Sequence, residues 1–244
     1  MGPNERDSQT AQIVLGRLQN SSSVSSIAAV MEIMQSLDTV LPASDGVKWF
    51  NMLYLAVTRA IDETPHPWAD SPWLTHLDIT FAQLYFDALA RSYTDPASVP
   101  RAWAALFESR YAADIQRVQF ALAGMNAHIN HDLPLAVLAT CEAMQIAPDR
   151  GSKEYSDYEA VNGIIDSVEP DALRFLATGI AGMVAEDVNA VGRVLSSWNI
   201  DVARDTAWTN AELLWQCRDL PGANDALKLV MDRMTGFAGR ALLA

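Results

Sequence analysis

Basic residues are scarce in this chain. Its 244 residues include 17 lysines and arginines against 30 aspartates and glutamates, which gives a formal net charge of −13 at pH 7. Non-specific nucleic-acid binding depends on clustered basic side chains that neutralise phosphates, and docking on an anionic membrane surface depends on the same charges. We therefore expect neither nucleic acid nor a membrane among the partners of this acidic protein.

Long apolar runs and an apolar N-terminal core are also missing. No stretch approaches the roughly 18–20 uninterrupted apolar residues that a membrane span needs, and the polar N-terminus does not resemble a secretory signal. Only two cysteines occur, Cys141 and Cys217, each within a helical pattern. That usage favours two thiols in a reducing compartment, and we predict a cytoplasmic protein.

Several motifs of well-known enzyme classes do not occur. The sequence contains no phosphate-binding loop, no dinucleotide-binding glycine fingerprint, no nucleophile elbow, no His-Glu-x-x-His and no Cys-x-x-Cys. Chemistry that depends on a nucleotide is therefore disfavoured, as are the common hydrolase classes.

What the sequence does contain is a succession of helical patterns. Half of its residues are apolar, and bulky ones recur every three or four positions, as at Phe50, Leu53 and Val57. No run alternates strictly between apolar and polar residues, as a strand would. The pattern predicts an all-α fold, a compact multi-helix bundle of about ten helices with no sheet. We interpret residues 1–244 as a single helical domain, in which residues 1–22 could be a loosely attached segment.

The clearest departure from a core pattern lies near the middle of the chain. A helix predicted over residues 112–131 begins with ordinary apolar spacing and then becomes crowded with amide and titratable side chains. His128 and Asp132 are four residues apart, so they share a helix face and can touch. A neighbouring carboxylate raises the pKa of an imidazole and fixes its tautomer, which suits a general base or a metal ligand. We predict that His128 and Asp132 are catalytic.

The same residues also have structural interpretations. Asp132 precedes Leu133 and Pro134, which is the position of a carboxylate that caps the next helix. His128 could equally be a core histidine that is satisfied by Asp132 or by a backbone carbonyl. We expect His131, near the predicted helix end, to be exposed to solvent.

A metal site would need ligands from elsewhere in the chain. Three or four protein ligands are usual, whereas His128 and Asp132 supply two. His76, Asp78 and Asp87 are distant candidate donors, but none of these residues follows a known ligand spacing. The sequence requires no cofactor and leaves a divalent metal open.

Three further sets of polar residues recur at four-residue spacing, which places each set on one helix face. They are Asn126 and Asn130; Tyr158 and Asn162; and Arg204, Trp208 and Glu212. We predict that all of them bind the substrate. The first two sets would place or polarise a carbonyl or hydroxyl group, and Arg204 and Glu212 would bracket Trp208 or a bound polar group. The alternative is a buried hydrogen-bond network that fixes the register of the helices.

The residues around His128 also carry a resemblance to a known family. The motif Asn-Ala-His-Ile-Asn-x-Asp-Leu-Pro runs from Asn126 to Pro134, and similar segments surround Trp49, Tyr158 and Trp208. Together they resemble a bacterial family catalogued only as a domain of unknown function, over most of the chain from about residue 31. The resemblance implies no established reaction. It implies that the following residues belong to the family pattern: Asn126, His128, Asn130 and Asp132.

These observations lead to two hypotheses about function. The first is a nucleotide-independent enzyme, a lyase, isomerase, cyclase or hydrolase, with a pocket inside the bundle for a small, largely apolar molecule. His128 would act as acid and base and Asp132 would orient it, in a cyclisation, dehydration, isomerisation or hydrolysis. The second is a non-catalytic helical protein that binds a ligand or a partner and whose polar cluster is structural. The sequence does not determine whether copies of the chain assemble.

Overall fold

Helices make up the regular structure of the described part of the chain. The computed structural model describes residues 3–19, 21–177 and 199–244. Within these ranges there is no strand, so the prediction of an all-α multi-helix bundle is confirmed, and no helix has both the length and the apolar character that a membrane crossing needs. In chain order the helices are α1 (Pro3–Leu18), α2 (Ile27–Val40), α3 (Gly46–Glu63), α4 (Ser71–Thr94), α5 (Arg101–Ser109), α6 (Arg117–Ala127), α7 (Leu133–Met144), α8 (Lys153–Ala177), α9 (Ile200–Gln216) and α10 (Ala223–Leu242).

Short polar side chains set the starts of several helices. Ser26, Asp45, Asp70 and Asn199 precede α2, α3, α4 and α9, and each side chain accepts a hydrogen bond from a backbone N–H of the first turn. These N–H groups have no partner within the helix, so the caps satisfy donors that would otherwise be unpaired. These four capping residues therefore mark where α2, α3, α4 and α9 begin.

One large apolar core runs through the bundle. Helix α3 packs against α2, α5, α6 and α8, while α10 packs against α5 and α6. Val14 and Leu18 of α1 are buried in the same core. Most of the largest fully buried side chains are aromatic, and they are Trp73, Trp103, Trp208, Tyr85, Tyr158, Phe50 and Phe86. Polar side chains that are buried in this core can therefore pack against aromatic rings.

Two glycines allow α3 and α6 to approach each other closely. A Cβ atom at Gly124 would overlap the ring of Phe50, and a Cβ atom at Gly46 would overlap the ring of Phe120. Because a packed interior has no free space for an additional methyl group, both positions need glycine for this contact. The approach of α3 to α6 brings Phe50 within 5.6 Å of the imidazole of His128, measured between ring centroids.

Gly124→Ala is expected to lower the free energy of unfolding by about 1–3 kcal/mol, because its methyl group must displace the buried ring of Phe50. Gly163→Ala in α8 is the matched control, since nothing lies within 4 Å of a Cβ there. Alanine has a higher helix propensity than glycine, so the free energy of unfolding of the control should rise by up to about 1 kcal/mol. Urea unfolding followed by circular dichroism measures both changes. Equal stabilities for the two variants would contradict this description of the contact.

Candidate active site

The helix that carries His128 changes its winding at that residue. Helix α6 ends at Ala127, residues His128–Asp132 form a π-helix, and α7 begins at Leu133. The N–H of Leu133 donates to the carbonyl of His128 five residues earlier, which defines the wider turn. Single π-helical turns are rare and occur frequently at functional sites. The wider turn changes where the side chains of this segment point.

The carboxylate of Asp132 is the centre of a buried hydrogen-bond cluster. Its Oδ2 accepts hydrogen bonds from Nδ1 of His128 at 3.0 Å and from Nε1 of Trp103 at 2.9 Å. Its Oδ1 accepts a hydrogen bond from Nδ1 of His131 at 2.7 Å. We call these four residues the Asp132 cluster. The side chain of Asp132 makes no capping bond to α7, so the capping interpretation is wrong.

The cluster keeps Asp132 ionised although it is only 1% exposed. Burial raises the pKa of the Asp132 carboxyl, but the hydrogen bonds from His128 and His131 outweigh burial and hold the pKa below its ordinary value. Donors that point at a carboxylate replace the water that it loses on burial. Asp132 is therefore a buried negative charge whose compensation comes from neighbouring side chains.

His131 is the residue of the cluster whose pKa is displaced toward the protonated, positively charged form. It is buried, with 8% of its surface exposed, so the expectation of a solvent-exposed side chain is wrong. Its Nε2 lies 3.8 Å from Oδ1 of Asp232 in α10. Burial lowers the pKa of His131, but Asp132 and Asp232 outweigh burial and raise the pKa above its ordinary value. The π-helical turn explains the difference, because the expected orientation assumed 3.6 residues per turn.

His128 differs from its neighbour in both charge and bonding. Burial outweighs the hydrogen bond and the charge of Asp132, so the pKa of His128 lies below its ordinary value; the expected rise is wrong. Since Nδ1 donates to an ionised carboxylate, the neutral ring carries its proton on Nδ1. Nε2 is then unprotonated, and it is buried with no hydrogen-bond partner among the described residues. His128 is a neutral base with an unused lone pair.

Aromatic rings enclose the imidazole of His128. The ring of Phe81 stacks on it, with 3.5 Å between centroids and 5° between planes, and the ring of Tyr54 meets it edge-on at 4.5 Å. Further rings within 6.2 Å are those of Phe50, Tyr85 and Trp103. Rings in these positions exclude water, and the loss of hydration disfavours the charged imidazole. The aromatic surroundings therefore account for the lowered pKa of His128.

A cavity of about 50 Å³ adjoins these rings. Tyr54 and Phe81 line the cavity and also contact the imidazole, so they form a wall shared by both. The other walls are mostly apolar and come from α2, α3, α4, α7, α8, α9 and the π-helix. Thr58, Asp78 and Arg204 supply polar groups to the lining. The cavity is large enough for a few water molecules or one small organic molecule.

Asn126 and Asn130 lie apart from this cavity. Nδ2 of Asn126 donates to the carbonyl of Thr235 at 2.9 Å, and Oδ1 of Asn126 accepts a hydrogen bond from Nδ2 of Asn130 at 3.1 Å. Both side chains line a separate, more open groove beside α9 and α10. The structure therefore places Asn126 and Asn130 in a different pocket from Tyr54 and Phe81, the wall between His128 and the cavity. Their role in substrate binding stays a prediction.

Of the remaining predicted residues, Arg204 reaches the cavity. Its Nε donates to Oδ1 of Asn162, its Nη2 donates to the carbonyl of Tyr158 at 2.7 Å, and the hydroxyl of Tyr158 donates to the carbonyl of Arg204 at 2.7 Å. These bonds join α8 to α9 and hold the guanidinium group in place. Tyr158 and Asn162 thus position Arg204 and do not line the cavity themselves.

Trp208 and Glu212 form a contact of their own on α9. Nε1 of Trp208 donates to Oε1 of Glu212 at 3.3 Å, and Oε2 of Glu212 lies 3.5 Å from Nε of Arg150. The ring of Trp208 packs against Tyr158 with 4.9 Å between centroids. Neither Trp208 nor Glu212 lines the cavity. Their predicted contact with a substrate stays untested.

The distant metal donors do not join His128 and Asp132 in one set. Within residues 3–19, 21–177 and 199–244, no three His, Cys, Asp or Glu side chains are arranged to hold a metal ion. His76 contacts the hydroxyl of Thr140 through Nδ1 at 3.2 Å, Asp87 is exposed, and Asp78 lines the cavity.

The aromatic part of the site has no distinctive pattern in the sequence. Trp103, Tyr54 and Phe81 recur at helical spacing and have the pattern of ordinary core residues. The sequence offers Asp78 as a distant metal donor and, together with Asp87, as a weaker polar constellation that alternating acids on one exposed face explain just as well. The position of Asp78 between Leu77 and Phe81, on an apolar stretch of α4, was the available signal that this carboxyl faces the interior.

Comparison with known proteins identifies the family of the chain. A family of unknown function (DUF5995) matches residues 27–244. The chain belongs to this family, and the resemblance to a domain of unknown function is confirmed. No curated protein and no solved structure matches the chain.

His131→Gln is expected to destabilise the fold most at low pH. A raised pKa in the folded state means that this stabilisation is fully present below the unfolded pKa, about 6.5, and is lost as the pH rises through the folded value. We expect the variant to lose about 1–3 kcal/mol at about pH 5.5 and less at about pH 9. Urea unfolding at both pH values measures the loss, and a loss that grows with pH contradicts a cationic His131.

Proposed function

We propose that this member of the family is an enzyme that transfers protons to and from a small, largely apolar molecule through His128. The observation that carries the proposal is the unpartnered Nε2 of the buried imidazole. A buried polar group without a partner costs about 1–3 kcal/mol. A histidine that served only to support the fold would be expected to use both nitrogens, whereas a general base needs one lone pair free.

Asp132 and His131 have complementary roles in this proposal. The carboxylate of Asp132 holds the proton of His128 on Nδ1 and would stabilise the imidazolium that forms when Nε2 takes a proton. Burial lowers the pKa of His128, and the neighbouring His131 lowers it further. His128 therefore stays neutral in the resting protein and is charged only during proton transfer. A base that is unprotonated at neutral pH is what this chemistry requires.

The cavity beside Tyr54 and Phe81 is the proposed substrate site. Its apolar walls fit a small, largely apolar molecule. Because Nε2 is buried, substrate would reach it only after a movement of Tyr54 or Phe81, the two rings that border both the imidazole and the cavity. The chemistry that fits is cyclisation, dehydration, isomerisation or hydrolysis, each of which needs a proton moved at one atom.

A second function is favoured by a different observation. The Asp132 cluster joins α5 to the π-helix through Trp103, and Nε2 is not open to the cavity in the resting structure. On this basis the cluster would serve to hold the helices in register, and the cavity would belong to a non-catalytic ligand-binding protein. The two functions differ in what the loss of His128 does to turnover.

The proposal predicts that His128→Gln keeps the fold and loses turnover by about 10²–10⁴-fold, because glutamine cannot accept and release a proton. The substrate search would use small apolar carbonyl and hydroxyl compounds in D₂O, followed by NMR. Proton exchange, dehydration, isomerisation and hydrolysis each change the spectrum. Circular dichroism and urea unfolding check that the variant is folded.

His76→Gln is the matched control, since it makes the same substitution at an exposed histidine whose recorded contacts are with two threonine hydroxyls. It should leave turnover within about twofold, well below the loss expected for a proton-transferring group. Turnover that survives in folded His128→Gln would overturn the enzymatic proposal and leave the binding function.

A further inference from the structure

Arg204 is a buried cation without a carboxylate partner among the described residues. It is 6% exposed, and its recorded contacts are with the amide oxygen of Asn162, the backbone carbonyl of Tyr158 and, at 4.1 Å, the ring of Tyr158. All of these groups are neutral. A buried charge is costly unless an opposite charge compensates it. Arg204 lines the cavity, and none of the hydrogen bonds that it makes with the described residues uses Nη1.

Asp78 faces the same cavity from α4 and is also unpaired. In the described part of the chain its carboxyl makes no hydrogen bond and no ion pair, although it is half-buried beside apolar side chains. Burial raises its pKa to about 7, and of the charged groups that act on it Arg204 lowers the pKa and Asp62 raises it. The hydroxyl of Tyr54 on α3 also interacts electrostatically with Asp78. Asp78 can therefore be a neutral hydrogen-bond donor near neutral pH.

We propose that the cavity binds a small organic acid, with its carboxylate between Nη1 of Arg204 and the carboxyl of Asp78 and its apolar body against the cavity walls. The inference deepens the proposed function, on which it rests for the use of the same cavity by a substrate. The carboxylate supplies the negative charge that Arg204 lacks and accepts a hydrogen bond from protonated Asp78. An amine would be repelled by Arg204, and an amide or alcohol would leave Arg204 with only Asp78 as an opposite charge, a carboxyl that is partly protonated near neutral pH because burial raises its pKa to about 7.

A second consequence distinguishes this arrangement from simple apolar binding. An anion placed beside Asp78 disfavours the ionised carboxyl, so binding should draw a proton from solution when Asp78 is ionised in the free protein. Arg204, Asp62 and Tyr54 already face this group, and the ligand adds a negative charge to them. The uptake should increase from about pH 6 to about pH 8, since Asp78 is more fully ionised at the higher pH.

The experiment is calorimetric titration of the full chain with isovalerate, isovaleramide and isopentylamine, which share one apolar body. Isovalerate should bind at least about tenfold more tightly than either analogue, and its binding enthalpy should vary with the ionisation enthalpy of the buffer. Asp78→Asn should bind isovalerate without proton uptake. Arg204→Gln should lose the preference for the acid. Asp78→Asn keeps the test valid if Arg204→Gln does not fold, because the carboxyl of Asp78 makes no hydrogen bond or ion pair with the described residues.

Equal affinities for isovalerate and isovaleramide would overturn the inference, as would no binding of isovalerate at millimolar concentrations. Proton uptake that persists in Asp78→Asn would also overturn the role of that residue. The failure of the proposed function is separate, because His128→Gln should still bind isovalerate. Acid binding with turnover that does not need His128 removes the catalytic proposal alone. Turnover that needs His128, without any preference for acids, removes this inference alone.

Discussion

The candidate site depends on one constraint, a carboxylate that stays ionised in the interior of a helical bundle. A charge is kept there only if hydrogen-bond donors and an opposite charge replace the water that it loses. Trp103, His128 and His131 donate to the two oxygens of Asp132, and the pKa of His131 is raised toward the charged form that would compensate the carboxylate. The hydrogen bond from His128 to Asp132 also determines which ring nitrogen of His128 carries the proton. His128 is neutral, holds its proton on Nδ1 and keeps Nε2 free, and the proposed chemistry follows from that distribution.

The fold supports this distribution from several directions. The close approach of α3 to α6 across Gly124 places Phe50 beside the imidazole, and Phe81 of α4 fixes the plane of the ring by stacking on it. These rings keep water away from His128, which favours its neutral form. The cavity continues from the same rings toward a buried arginine, so the proposed proton acceptor lies behind one wall of the apolar space and the proposed anion-binding residue lines another. Such a combination suits a molecule with an apolar body and one acidic end.

The sequence predicts part of this arrangement for clear physical reasons. The all-α fold follows from the three- and four-residue periodicity, and the contact of His128 with Asp132 follows from their spacing. The orientation of His131 could not be predicted, because a π-helical turn changes the angle between successive side chains. The carboxylate of Asp132 led us to expect a raised pKa for His128. The pKa is lowered because burial, which residue spacing does not reveal, outweighs the effect of the carboxylate. Trp103 lies 29 residues from Asp132, and no pattern in the sequence indicates that long-range bond.

The most direct test of this account is the protonation state of His128, measured by ¹⁵N–¹H NMR of the imidazole rings near neutral pH. The chain has four histidines, so a spectrum of His128→Gln assigns the relevant signals. The account predicts a neutral ring with a proton on Nδ1 and an unprotonated Nε2, beside a doubly protonated ring for His131. A proton on Nε2 of His128 would contradict it, because the buried lone pair on which the proposed chemistry depends would not exist.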